Sequence, residues 1–111
     1  MRPASGYGYI FCVSETVPVA NRCRVRIFYS GHVQGVGFRY TAKSVAAGFE
    51  ISGIVRNLSD GRVEVTAEGA REELEAFRAA VRDAGLKSFI RDENVTWSAE
   101  QNEFRGFEIV H

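Results

Sequence analysis

The sequence contains few of the residues from which metal sites and disulfide frameworks are built. Its 111 residues include two cysteines, Cys12 and Cys23, and two histidines, His32 and His111. No CxxC pair and no Cys/His spacing typical of zinc occurs, so the sequence predicts no metal site. A Cys12–Cys23 disulfide lacks the support of a wider framework, and we expect two free thiols, as in cytosolic proteins.

The sequence also lacks an excess charge of either sign and a long apolar run. Fourteen Lys and Arg residues balance 14 Asp and Glu residues, so no overall field attracts nucleic acid or an anionic membrane. No apolar stretch approaches the roughly 20 residues of a membrane span. We therefore expect no nucleic-acid partner and no membrane association, and any preference for anions must be local.

The first 22 residues differ in character from the rest of the chain. The apolar run at residues 9–13 is too short for the core of a signal peptide, and Glu15 follows it closely. We predict that residues 1–22 form a poorly ordered extension; an upstream start and a secretion signal are the alternatives. Residues 23–111 are predicted to form one domain, since 45% hydrophobic residues suffice for a globular core.

Hydrophobic periodicity predicts the order β-α-β-β-α-β with one extra short strand near the end. Alternation from Cys23 is typical of a half-buried strand, and helical spacing predicts helices over residues 37–47 and 70–84. Two β-rich runs, 51–58 and 62–68, flank Ser-Asp-Gly, which favours a hairpin turn. Because each helix has one apolar stripe, we expect an α+β, ferredoxin-like sandwich: an antiparallel sheet with both helices on one face.

Three sets of residues are expected to face the core of this sandwich. They are Val25, Ile27 and Tyr29 of the first strand; Phe38, Ala42, Val45, Ala46 and Phe49 of the first helix; and Leu74, Phe77, Val81 and Ala84 of the second.

A glycine-rich tract, SGHVQGVGFRY at residues 30–40, lies between the first strand and the first helix. Amides that lead into a helix have no intrahelical acceptors and lie at the positive end of its dipole. Glycines at 31, 35 and 37 allow these amides to turn toward one anion, and Arg39 adds donors that fit phosphate oxygens. The alternative is a turn that only packs strand against helix. The predicted phosphate-binding amides are those of His32, Val33, Gln34, Gly35, Val36, Gly37 and Phe38.

The glycine spacing indicates how large a ligand this loop would hold. Spacings of four and two residues match neither the dinucleotide-binding GxGxxG pattern nor a P-loop, and no GK[ST] follows. The loop therefore favours a single phosphoryl group over a whole nucleotide.

Two stretches of the sequence, GHVQGVGFRY and GIVRNLSDGRVEV, together resemble the acylphosphatases. The resemblance runs from Cys23 to the end of the chain, with both motifs in the family's order and spacing. It implies a ferredoxin-like fold and hydrolysis of the carboxyl–phosphate bond of a small acyl phosphate, without metal or cofactor. We also expect the protein to be a cytoplasmic monomer. The resemblance also implies that Arg39 binds the phosphoryl oxygens beside the loop amides and that Asn57 holds the attacking water. Ile54 departs from the family, which often has an aromatic residue there; this affects packing beside the site.

The residue types in these motifs fit that chemistry. A carboxylate leaving group, whose conjugate acid has a pKa of about 4, departs without protonation, so the protein has only to position water and stabilise charge. A phosphate oxygen of the substrate is the expected base, with His32 as the alternative. Asp60 is assigned to the hairpin turn, and Arg56 is expected on the opposite face of its strand from Asn57.

Two other functions fit the same fold. One is a catalytically silent binding or regulatory domain of the acylphosphatase type. The other is an RNA-binding module, because GVGFRY faintly resembles the glycine-aromatic pattern of such domains. That pattern would have to lie on a central strand, whereas these glycines precede a helix.

Overall fold

The computed structural model describes residues 21–111, so positions 1–20 of the predicted extension, including Cys12, lie outside the described residues. Strands and helices follow one another in the predicted order. They are β1 (Arg22–Gly31), α1 (Phe38–Ala46), β2 (Ile51–Asn57), β3 (Val63–Ala70), α2 (Arg71–Val81), β4 (Ile90–Ala99) and β5 (Phe107–Ile109).

One five-stranded sheet in the order β4-β1-β3-β2-β5 carries both helices on one face. The predicted ferredoxin-like α+β class is confirmed. The sheet is mixed, however, and not wholly antiparallel as expected, because β5 runs parallel to β2 while the other pairs are antiparallel. Residues 100–106 link the end of β4, at one edge of the sheet, to the outer side of β2. After this link β5 pairs with β2 and runs in the same direction as β2.

The core lies between the sheet and the two helices. Val25, Ile27 and Tyr29 of β1 are fully buried, which confirms the predicted alternation. They pair in register with Ala67, Val65 and Val63 of β3, so both sets share the face beneath the helices. The two helices contribute the buried residues Phe38, Ala42, Ala46, Leu74, Phe77 and Val81 to the core.

The end of the second helix differs from the predicted one. Ala84 has left the helical conformation (φ −81°, ψ 15°) and is exposed, so its assignment to the buried stripe is wrong. The chain reverses at Gly85, whose φ of 95° is left-handed and favours glycine. Leu86, the residue that follows Gly85, is only 3% exposed and belongs to the core.

A buried carboxylate, Glu68 on β3, fastens the link between β4 and β5 to the sheet. Glu68 is 1% exposed and accepts hydrogen bonds from Arg24 Nη1 (3.1 Å) and from the amides of Gln101 (2.8 Å) and Glu103 (3.3 Å). Arg24, 9% exposed, also donates to the Glu103 carboxylate at 2.6 Å. A charge buried this deeply is stable only with such a full set of partners.

Two further features bear on the sequence-based expectations. No helix within residues 21–111 is long and apolar enough to cross a membrane. Cys23 is a free, half-buried thiol, and burial raises its pKa. The state of Cys12 lies outside the described residues and stays a prediction.

Glu68→Ala should lower the free energy of unfolding by about 3 kcal/mol, because it leaves two amides without their acceptor and removes the buried one of the two carboxylates that pair with Arg24. Urea denaturation followed by circular dichroism measures the loss. The matched control is Glu75→Ala, which removes an exposed carboxylate paired with Arg71 and should cost less than about 0.5 kcal/mol. Equal losses in the two variants would contradict the role assigned to Glu68.

Candidate functional site

The glycine loop between β1 and α1 has a backbone that only glycine adopts easily. Gly35 and Gly37 have φ values of 81° and 78°, in the left-handed region. A Cβ at either position would meet open space, so it is the backbone conformation, and not crowding, that favours glycine there. Gly37 also caps α1 and supplies no side chain to its first amides.

The loop begins at a crowded anchor point. A Cβ on Gly31 would lie within 3.0 Å of both the Phe89 carbonyl oxygen and the Arg91 amide, and its φ of 125° is left-handed. The next amide, that of His32, donates to the Phe89 carbonyl at 2.9 Å. This amide is therefore engaged within the fold, in contrast to its expected place among the phosphate-binding amides.

The six amides of residues 33–38 are differently placed. None of them makes a hydrogen bond of good geometry to an acceptor among residues 21–111, although residues 34–37 form a turn. The first amide to bond within α1 is that of Thr41, to the Gly37 carbonyl at 2.9 Å. Unpaired amides before and within the first helical turn create partial positive charge that suits an anion.

The Gln34 side chain joins this loop to the β2–β3 turn. Its Nε2 donates to the carbonyl of Leu58 at 2.7 Å and to that of Arg62 at 2.9 Å. Sequence reasoning counted Gln34 only for its backbone amide. Its side-chain role depends on the hairpin folding back beside the loop, which no local pattern encodes.

Arg39 and Asn57 line one cavity of about 250 Å³, so the structure brings the two predicted site side chains to one place. The cavity is lined by Val33, Gly35, Gly37, Phe38, Arg39, Tyr40 and Asn57. Asn57 ends β2 opposite Val63, on the face that carries the helices. The adjacent Arg56 lies on the other face and donates to Glu64 at 2.6 Å, as expected.

The guanidinium of Arg39 has no carboxylate within 4.0 Å among the described residues. The guanidinium lies beside the His111 ring, with Arg39 Nη1 and His111 Nδ1 3.5 Å apart. The residue before His111 is held by a hydrogen bond from the Val110 amide to the Val55 carbonyl, at 3.0 Å. Sequence reasoning missed this neighbour, because only the parallel pairing of β5 brings it there.

Other polar residues named in the sequence analysis lie outside the cavity. His32 is exposed and does not line it. Asp60 accepts hydrogen bonds from the Arg62 amide (3.1 Å) and guanidinium (2.8 Å), which confirms its role in the turn. These bonds also lower the Asp60 pKa. Within residues 21–111 no group of three His, Cys, Asp or Glu side chains is placed to hold a metal ion.

The tract GVGFRY spans the N-terminus of α1 and lies on no strand. An RNA-binding module would place these aromatics on an open sheet face, where bases stack. Here Phe38 is 2% exposed and packs on Tyr29, with ring centroids 4.8 Å apart. This ring is therefore not available for stacking on a base.

Comparison with known proteins shows the family of this chain. The family described as Acylphosphatase matches residues 25–109. An acylphosphatase of Trichormus variabilis is 38% identical over 95 residues, covering 86% of this chain and 93% of the relative. The crystal structure of an acylphosphatase from Bacillus subtilis superimposes with a TM-score of 0.74 at 39% identity, covering 80% of this chain and 99% of that one. An acylphosphatase structure from Coxiella burnetii gives 0.72 at 26% identity, covering 86% and 100%.

Gly31→Ala should lower the free energy of unfolding by about 3 kcal/mol, since the new Cβ collides with backbone atoms on the neighbouring segment. Urea denaturation provides the measurement. Gly61→Ala is the matched control, because Gly61 has a φ of 95° but open space around it; backbone strain alone should cost about 1 kcal/mol. If Gly31→Ala were no worse than this control, the anchor at Gly31 would be disproved.

Proposed function

The chain belongs to the acylphosphatase family, and from this premise we propose that it hydrolyses the carboxyl–phosphate bond of acyl phosphates to a carboxylate and inorganic phosphate. One observation carries the proposal. In the described part of the chain, glycine-loop residues whose amides lack a well-formed hydrogen bond line one cavity together with Asn57 and with Arg39, which has no carboxylate partner.

In the proposed mechanism the phosphoryl group binds to the amides of residues 33–38 and to the guanidinium of Arg39. Charge spreads over the equatorial oxygens as phosphoryl transfer proceeds. Amide dipoles and a fixed cation that already point at those oxygens stabilise this charge without having to reorganise. The hydrogen bonds of Gln34 support the proposal, since they hold the loop against the turn that follows Asn57.

Asn57 is proposed to orient the attacking water. No side-chain hydrogen bond to a residue within 21–111 occupies its amide, so it is free to hold a water molecule. A water fixed in line with the leaving group gains the advantage of proximity and orientation.

The proposal needs neither a protein acid nor a protein base. Among the described residues, none that lines the cavity carries a carboxyl, imidazole or thiol group. The carboxylate leaves unprotonated, because its conjugate acid has a pKa of about 4. A phosphoryl oxygen of the substrate accepts the proton of the water.

The proposal includes a cytoplasmic monomer that acts without a cofactor or nucleic acid. Gel filtration with light scattering tests the oligomeric state.

Purified protein should hydrolyse benzoyl phosphate, and excess EDTA should leave the rate unchanged, because side chains and amides supply all the proposed charge stabilisation. Loss of absorbance of the acyl phosphate measures the rate against its spontaneous hydrolysis. No turnover above that background would overturn the enzyme assignment and favour the silent binding domain.

Arg39→Ala should lower kcat/KM at least about 1,000-fold and weaken inhibition by inorganic phosphate, since it removes the only cationic side chain lining the cavity of the described chain.

Asn57→Ala should leave phosphate inhibition within about threefold but lower kcat about 100-fold or more, because it affects the water and not the anion.

The control for both variants is Arg56→Ala, which removes a cation next to Asn57 in sequence but on the opposite face. Its activity should stay within about twofold of the wild type. Activity retained in Arg39→Ala would overturn the site while leaving the enzyme class intact.

A further inference from the structure

The cavity has an apolar side that the proposed chemistry does not use. Val33 is fully buried and Phe38 is 2% exposed, so both present little surface to a ligand. Tyr40 is different, since it is 71% exposed and is the most exposed large apolar side chain in residues 21–111. It lies in the first turn of α1, directly after Arg39.

The cavity is larger than a phosphoryl group requires. Its volume of about 250 Å³ corresponds to roughly eight water molecules at liquid density, whereas a phosphoryl group has four heavy atoms. With that group bound to the loop amides and Arg39, the acyl portion must extend into the remaining space. Tyr40 is the exposed apolar side chain that lines this space.

The fold depends little on the Tyr40 side chain. No hydrogen bond from its hydroxyl to a residue within 21–111 is present, and its exposure means that it contributes little to the core. An exposed aromatic ring offers a flat apolar face that stacks well on another ring. Because Tyr40 lines the cavity and is exposed, it is suitably placed to contact a ligand already bound by its phosphoryl end.

We propose that Tyr40 binds the acyl group, so that the site prefers acyl phosphates with a flat aromatic acyl group over those with a small aliphatic one. This inference rests on the proposed function, because it assigns the second half of the same substrate. The preference comes from binding, so it should appear in KM more than in kcat.

The test compares benzoyl phosphate with acetyl phosphate in the wild type, Tyr40→Ala and Tyr40→Phe. Tyr40→Ala should raise KM for benzoyl phosphate about tenfold with kcat within about twofold, and should change either constant for acetyl phosphate less than about twofold. Tyr40→Phe keeps the ring and should behave as the wild type on both substrates. Inhibition by inorganic phosphate should stay within about twofold in both variants, since the phosphoryl end is unchanged.

The outcomes separate the two proposals. If the wild type hydrolyses neither substrate, the proposed function fails, and this inference with it. If it hydrolyses both and Tyr40→Ala affects them equally or not at all, only the role of Tyr40 is overturned. A weakened phosphate inhibition in Tyr40→Ala also overturns it, because Tyr40 would then act through the loop. Alanine favours helix more than tyrosine does, so the variant should fold, which circular dichroism checks.

Discussion

The two hydrogen bonds of Gln34 are the interaction on which the arrangement of the site depends. The loop that is proposed to bind the anion and the strand that ends in Asn57 are separate in sequence, and each would move with its own turn. By donating to the carbonyls of both Leu58 and Arg62, one side chain fixes the loop to the two ends of the hairpin turn. The distance between the proposed phosphate site and the proposed water site is thereby set by two bonds to rigid backbone, and a small displacement there matters for catalysis.

A site of this kind relies on fixed backbone dipoles more than on reactive side chains. The backbone conformation of the loop is fixed by the left-handed conformations of Gly35 and Gly37 and by the crowded position of Gly31. The orientation of the loop amides is thus settled during folding, and the proposed mechanism needs no reorganisation when charge develops on the substrate. The absence of a carboxyl, imidazole or thiol group from the lining of the cavity, within the described chain, agrees with this principle.

The sequence predicts the features of this fold that arise from local pattern. Alternation identified β1, and helical spacing identified α1 and α2, because burial on one face requires these periods. Ser-Asp-Gly identified the hairpin, because these residues favour a tight turn. The bond from the His32 amide to Phe89, the Gln34 side-chain bonds and the contact of His111 with Arg39 are different. Each of these contacts joins segments that are distant in sequence, so it depends on how the strands pair. The parallel direction of β5 follows from the path of the link before it, and that link has no periodicity from which its path could be predicted.

The position of β4 at the edge of the described sheet bears on how copies of the chain behave at high concentration. A long edge strand exposes backbone groups that can pair with another molecule, and this is a common start of aggregation. Arg91 and Asp92, both 75% exposed, lie near the beginning of β4. Exposed charged side chains on an edge strand are one of the features by which proteins disfavour pairing with a second strand.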